Sequence, residues 1–424
     1  MSVWNIAWRN LRSRPIQSWL TVTVVAIGLA LGLSMFLISQ GLREGLARVT
    51  QPYDLIIGAK GSPTQLVLSS LFLQDKPGHN LTFDFYASLL GDKRVAQAIP
   101  LAMGDSAAGY WVVGTNQEYF NLTARPGGPP VWRLAEGRFF ERPFEAVLGA
   151  QVARKLGLKP GDRLPSSHGL VADLEEGKNQ PNEEESGGQT GIDDHHRSFP
   201  YAVVGILQPT FGPGDQGIYV DRRSYWEIHA HDREVNDLPG LEGKEPGGIT
   251  AVLVKPTSYT AAYQLYQEIN AGPVAQVVFP AQVVTKLFDF LGQAETLLEG
   301  ISLVVLFLAT LSIIISLYSA ALERRRDLAV LRALGASRAT LMKIVLVEAA
   351  LVASLGSLLG VALAHILAQI LSWLIYDGSA LHITTRFLPE ELGVTLGIVV
   401  LGLVAGLLPA IRAYRSEVAK NLVL

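Results

Sequence analysis

Asp193, Asp194, His195 and His196 place carboxylate and imidazole side by side in a chain of 424 residues. That donor set suits zinc or copper, and His168, or His229, His231 and Asp232, could complete it. Against this, the histidines lack a fixed pair spacing such as H-x-x-x-H, and ordered sites need preset geometry. They also end an acidic stretch, DLEEGKNQPNEEESGGQTGIDDHHR from Asp173 to Arg197, which has almost no apolar residue. Such a composition buries too little surface to offset its ordering entropy. The stretch therefore reads as a mobile acidic loop with solvated histidines.

Other reactive patterns fail on spacing. Gly58-Ala59-Lys60-Gly61-Ser62 looks like a phosphate loop but lacks G-x-x-x-x-G-K-[ST]. No Walker motif occurs anywhere, so the chain shows no means of using ATP itself. No acid/base pair, nucleophile elbow or triad emerges from the spacing of Ser, His and Asp. With no cysteine, disulfides, zinc–thiolate sites and cysteine nucleophiles are absent. Glu348 and His365 lie in or near an apolar run, where ionisable groups are costly and often functional. The blander reading puts Glu348 at headgroup level and has a neutral His365 bonding a neighbouring helix.

The elements that carry these residues are mostly apolar. Hydrophobic residues make up 49% of the chain and charged residues 17%, against about 25% charged in a typical soluble protein. The net charge of −3 gives no reason to expect nucleic acid. Trp19 to Ile38, Gly300 to Leu322 and Leu392 to Ile411 contain no charged residue, and Ala349 to Tyr376 is broken only by His365. Each is about 20 residues or longer, enough to cross a hydrocarbon core of roughly 30 Å as a helix. Four transmembrane helices are expected. The first run is too long for a usual signal-peptide core, and no small-residue cleavage site follows before Arg43.

Basic residues set the orientation. Arg9, Arg12 and Arg14 precede the first run; Arg324, Arg325, Arg326, Arg332, Arg338 and Lys343 separate the second from the third; Arg412, Arg415 and Lys420 follow the fourth. The short third-to-fourth loop is acidic, with Asp377, Glu390 and Glu391 against Arg386. Both termini are thus expected in the cytoplasm and residues from about 40 to 295 outside it. Trp4, Trp8 and Leu11 share one face of an N-terminal amphipathic helix suited to the membrane surface. Gly28/Gly32, Gly356/Gly360, Gly393/Gly397 and Gly402/Gly406 have the spacing that lets helix backbones approach.

The resulting layout is an amphipathic helix at 1–15, a span at 16–39, an outer domain at 40–280, a stalk helix at 281–299, a span at 300–322 and a coupling segment at 323–343. A span at 344–376, a short outer loop at 377–391, a span at 392–411 and a tail at 412–424 complete it. β-like runs at Val95 to Leu101, Tyr110 to Val113, Tyr201 to Leu207, Thr250 to Val254 and Val274 to Phe279 alternate with helix-like Gln151 to Leu156 and Tyr259 to Ile269. This mixture indicates an α/β or α+β domain. Val283, Leu287, Phe290, Leu291, Ala294 and Leu297 form a helical stripe, and no proline interrupts 281–329. One continuous rod could therefore link cytoplasm and outer domain.

The segment ERRRDLAVLRALGASRATLMK at 323–343 suits docking on a partner, with Leu328, Leu331 and Leu334 along one side and Gly335 as a break. Retention of positive charge inside is the simpler account. Arg324 to Ala349, RRRDLAVLRALGASRATLMKIVLVEA, nevertheless resembles the signature of FtsX/MacB-like ABC transporter permeases. VLGAQVARKLGLKPGDRL at 147–164, LAEGRFF at 134–140, YAVVGIL at 201–207 and NIAWRNLRSRP at 5–15 are similar to the same family. The resemblance implies a four-span α-helical membrane protein with a MacB-core-type outer domain, including a subdomain inserted at about 105–235. It further implies a homodimer or heterodimer in a bacterial inner membrane, working with a separate cytoplasmic ABC ATPase dimer that binds ATP and magnesium. Coupling contacts then fall on Glu323, Arg324, Arg325, Arg326, Leu331, Arg332, Leu334 and Gly335. The layout without a fused ATPase is similar to the lipoprotein-releasing LolC and LolE type, and the acidic loop at 173–197 matches nothing in the family pattern.

Three functions remain open at this point. The first is mechanotransmission that exports or extracts an amphiphilic, lipoprotein or peptide-like substrate, with membrane lipid and a periplasmic adaptor or lipoprotein as candidate partners. The second is a signalling module that activates an outer partner and transports nothing. The third is a metal-linked permease using the His/Asp loop.

Overall fold

The computed structural model describes residues 3–13, 15–74, 78–125, 127–168, 199–229, 248–323, 335–379 and 387–415. In chain order it begins with helices α1 (Val3–Ser13) and α2 (Pro15–Thr50), strand β1 (Leu55–Ala59), and helices α3 (Pro63–Ser70) and α4 (Phe83–Leu90). Strands β2 (Val95–Ala107), β3 (Tyr110–Thr115), β4 (Leu134–Gly137) and β5 (Glu145–Leu148) lead to helix α5 (Ala150–Leu156). Then come β6 (Arg163–Leu164), β7 (Ser167–His168), β8 (Tyr201–Leu207), β9 (Ile218–Asp221) and helix α6 (Arg222–His229). The chain continues with β10 (Ala251–Pro256), α7 (Tyr259–Ala271), β11 (Ala275–Val278), α8 (Pro280–Glu323), α9 (Arg338–Ser379) and α10 (Pro389–Arg415).

Two compact units divide these elements. One takes Leu42–Asp289 and Leu374–His382; the other takes Met1–Gly41, Phe290–Trp373 and Ile383–Leu424. The first is built on an 11-stranded mixed sheet, ordered β11-β1-β10-β2-β3-β9-β5-β8-β4, with β6 on β8 and β7 on β2. β2 joins its halves. It pairs with β10 along Val95 to Leu101 and with β3 along Ala102 to Ala107, and the register shifts between Met103 and Ser106. The β3–β9 and β5–β8 pairs are parallel and the rest antiparallel. The stretch expected as an insertion supplies β3 to β9 and α6.

Alternation along the strands places residues on opposite faces. Ile56, Ile99, Leu101, Val113 and Val147 join one core cluster, while Leu55, Ile57, Ala98, Ala102 and Val252 join another. Side-chain caps fix the short helices: Ser62 accepts from Gln65 N, Thr82 from Phe85 N and Ser258 from Ala261 N. Each satisfies an amide that has no partner inside its helix.

In the second unit, three helices of the described residues are long and apolar enough to cross a membrane: Pro15–Thr50, Arg338–Leu374 and Pro389–Leu407. The fourth expected crossing, 300–322, lies in α8, where many side chains fall outside the described residues. Val25, Leu29, Leu33 and Leu37 of α2 share a buried cluster with Ala349, Ala364 and Ala368 of α9 and with Ile398 and Ala405 of α10. Gly356 and Gly360 make that contact close. A Cβ on Gly356 would stand 2.7 Å from Val25 Cβ, and one on Gly360 would stand 2.8 Å from Leu29 Cβ. This glycine pair seats α9 on α2 of the same chain, as small residues do where helix backbones approach.

On α1, Ala7 and Leu11 are buried with Val22, Leu351 and Val352. Trp4 and Trp8 stay exposed, and Arg12 lies 5.4 Å from the Trp8 ring centroid. Leu11, expected to share the tryptophan face, is turned into the protein instead.

Candidate functional site

Most of the expected coupling segment lies outside the described residues: Arg324, Arg325, Arg326, Leu331, Arg332 and Leu334. Its ends are seen. Glu323 closes the backbone of α8, and Gly335 has φ +99°, a left-handed conformation that L side chains rarely adopt. Ser337 Oγ then accepts from Thr340 N at 3.2 Å and starts α9 at Arg338. The break expected at Gly335 is therefore present, followed at once by a helix N-cap.

Of the metal candidates, Asp193, Asp194, His195, His196, His231 and Asp232 also lie outside the described residues. His168 is in β7 opposite Asp105 of β2, and His229 ends α6. Among the described residues no group of three or more His, Asp or Glu could hold a metal ion.

Lys60, in the stretch that mimics a phosphate loop, has a structural task. Its Nζ donates to Asn270 O at 2.6 Å and Gly272 O at 3.0 Å. These carbonyls are at the C-terminal end of α7, where a cation complements the partial negative charge of the helix terminus.

His365 and Glu391 meet across α9 and α10. Nε2 of His365 lies 2.9 Å from Oε2 of Glu391, with the side chains 16% and 5% exposed. Glu391 Oε1 also accepts from Leu388 N at 2.9 Å, so it caps the start of α10 from the helix's first turn. The expectation that His365 bonds a neighbouring helix holds, with a partner that sequence spacing had placed in a loop. Glu348 is buried at 6% exposure.

One feature shaped for a ligand was not anticipated from spacing. A cavity of about 400 Å³ opens within Leu42–Asp289, lined by the end of α2 and by segments 51–53, 70–73, 113–133 and 208–219. The rings of Tyr53, Tyr119, Trp132, Phe211 and Tyr219 line it. Tyr119 stacks on Trp132 with centroids 5.2 Å apart and lies 5.1 Å from Tyr219. Tyr219 Oη donates to Gly214 O at 2.9 Å. Gly214 has to be glycine, because a Cβ there would overlap the Trp132 ring. Desolvation raises the phenol pKa of Tyr53, Tyr119 and Tyr219 well above the ordinary value, so all three stay neutral donors at physiological pH.

Asp215 shapes the loop that forms one wall. Its carboxylate accepts from Thr210 N (2.8 Å), Thr210 Oγ1 (2.7 Å) and Phe211 N (2.9 Å). Burial raises its pKa despite these donors. From the same loop, the Phe211 ring lies 6.4 Å from the Tyr376 ring, centroid to centroid, and Tyr376 O accepts from Gln151 Nε2 at 3.2 Å. Arg154 stands over the same tyrosine at 5.2 Å. The end of α9 thus packs beside the cavity loop.

The model of the MacB-like periplasmic core domain matches residues 18–271, and that of the FtsX-like permease C-terminal region matches 300–418. Pyoverdine export ATP-binding/permease protein PvdT of Pseudomonas putida is 23% identical over 98% of this chain and 58% of its own length. Macrolide export ATP-binding/permease protein MacB of Nitrobacter winogradskyi is 21% identical over 97% of this chain and 58% of its own. The chain therefore spans a little over half the length of these relatives. The crystal structure of the periplasmic region of MacB from Actinobacillus actinomycetemcomitans covers 56% of this chain and 94% of that one, at 10% identity and a TM-score of 0.33. The extracellular domain of the noncanonic ABC-type transporter YknZ from Gram-positive bacteria covers 53% and 98%, at 14% identity and a TM-score of 0.29.

Proposed function

The chain belongs to the MacB-like periplasmic core domain family and carries the FtsX-like permease C-terminal region, and from that premise we propose that it is the permease of an ABC exporter driven by an ATPase these 424 residues do not contain. The observation that carries this reading is the order of the modules. A span leads into the MacB-like domain and then into the FtsX-like spans, as along the export ATP-binding/permease relatives, while no Walker motif occurs in the sequence.

ATP and magnesium then belong to the ATPase, whose closure pushes on the segment from Glu323 to Gly335. The stroke travels along α8, a single helix from Pro280 to Glu323, and alters the outer domain, which handles an amphiphilic, lipoprotein or peptide-like substrate. Both termini and the coupling segment lie in the cytoplasm, in keeping with their arginines. A second permease copy completes the transporter.

Coexpression with the ABC ATPase tests the proposal. Leu331→Asp with Arg332→Asp should abolish ATPase copurification and ATP-dependent substrate release from proteoliposomes while leaving membrane insertion intact. Normal copurification would overturn the coupling assignment. ATP-dependent activation of an outer partner without substrate movement would overturn export in favour of signalling.

A further inference from the structure

We propose that the cavity at the base of β3 and β9 is a binding site for a small single-chain or aryl amphiphile with an anionic head. It deepens the export reading by naming a substrate class, though the site stands on its own geometry. At about 400 Å³ the cavity has the size of a small-molecule pocket, roughly 300–1,000 Å³. Its body is aromatic and aliphatic: Tyr119, Trp132 and Tyr219 are buried walls, with Leu71, Leu73 and Val113 between them. A flat ring or an alkyl chain fits such walls, and ring faces stack well against them.

The polar groups specify the rest of the ligand. Arg48 and Arg133 line the cavity and are both solvent-exposed, which sets two cationic residues at its mouth, Arg48 with its Nε donating to Glu44 O at 3.3 Å. No Asp or Glu is among the described lining residues. The nearby acid Asp215 is engaged by the amides of Thr210 and Phe211, and so is not aimed at an entering anion. A guanidinium offers paired donors to carboxylate, sulfonate or phosphate. Inside, Trp132 is only 5% exposed, and its indole Nε1 has no hydrogen-bond partner among the described residues. Buried indoles normally have an acceptor. With less than 1 Å² of that nitrogen accessible, it is closed off from the cavity, and the arginines at the mouth carry the polar recognition. At about 400 Å³ the cavity matches one chain or ring system better than a two-chain phospholipid, so the proposed occupant is a free single-chain or aryl amphiphile.

Calorimetric titration of the full chain in amphipol tests this, using decanoate, 2-naphthalenesulfonate, decanol and dihexanoylphosphatidylglycerol as probes. The two single anions should bind saturably, with decanol at least about tenfold weaker. Arg133→Gln should weaken the anions by about tenfold, Arg133→Lys should restore much of the loss, and Ala124→Trp, placed on a partly exposed lining residue, should block binding. Melting curves check that each variant is folded. Absence of saturable binding by both anions, equal affinity for decanol, unchanged binding in folded Ala124→Trp, or tightest binding by the two-chain lipid would each overturn the site. ATPase copurification is scored on the same preparations. Its loss in the wild type speaks against the permease reading, whereas failure of probe binding alone speaks against this site.

Discussion

Individual side chains on this protein do work that their local sequence conceals. Arg138 and Glu145 illustrate it. Arg138 donates to both Glu145 oxygens, at 2.8 and 2.5 Å, and the amides of Glu141 and Arg142 add to the same carboxylate. The guanidinium first, then those amides, bring the Glu145 pKa from the usual carboxylate range to about 2. A carboxylate whose folded pKa is depressed adds stability above its unfolded pKa of about 4.3, and that stability is lost as pH falls toward the folded value. Glu145→Gln should therefore lower stability at pH 7 by about 1 kcal/mol, a modest figure because the arginine is partly solvated. The gap should close between pH 4.5 and 2. Denaturant melts at pH 7, 4 and 2.5 check it, and a gap that stays constant with pH would rule out the charge mechanism. None of this is visible in RFFERPFE, because the pair depends on the turn between β4 and β5. Lys60 is similar: the glycines around it suggested phosphate, while its partners lie more than two hundred residues away on α7. His365 was legible as a helix-bonding residue, but its partner depends on where α10 begins.

At the scale of elements, periodicity did better. Every β-like run named from the sequence is a strand, from Val95–Ala107 through Ala275–Val278, and the helical pattern at Tyr259 became α7. Strands β1, β4, β5, β6, β7 and β9 were missed. Each has only two to five residues, too few to show alternation, and β1, β5 and β9 lie inside the sheet with a strand on either side. Glycine spacing marked close helix contacts without saying which were made. Among the described residues, Gly356 and Gly360 press on α2, whereas a Cβ on Gly393 or Gly397 meets nothing within 4 Å. This contrast gives a controlled prediction. Gly356→Leu should overpack the α2–α9 contact and lower stability by about 1–3 kcal/mol, whereas Gly393→Leu should change it by less than about 0.5 kcal/mol. Unfolding by dodecyl sulfate titration from mixed micelles compares the two. Equal losses would mean that the α2–α9 approach is not close, or that Gly393 is covered by another chain.

For the whole molecule, the division into two units follows from where apolar surface is buried. Between Leu42 and Asp289 the described sheet carries core clusters on both faces, and residues as large as Tyr201, Tyr219 and Phe140 are almost fully enclosed there. A stretch of that length buries roughly 70–75% of the surface its unfolded chain exposes, which is enough for a self-sufficient core. The spans, by contrast, keep large apolar side chains such as Leu358, Ile370 and Val400 exposed and need lipid around them. The sequence showed this division through its charge-free runs. It did not show the cavity, because residues 45–53, 113–133 and 208–219 meet there only through the order β2-β3-β9. Residues 42–289 expressed alone should therefore be soluble and monomeric and unfold in one cooperative thermal transition, with mixed α/β circular dichroism. The Tyr376 contacts with Gln151 and Arg154 are absent from that fragment, so its midpoint should sit a few degrees below the outer-domain transition of the full chain. An aggregated or non-cooperative fragment would show that the outer domain depends on the spans for its fold. On the proposed coupling, a stroke passed along α8 would then have to strain the domain's own core, and could not simply move it as a body.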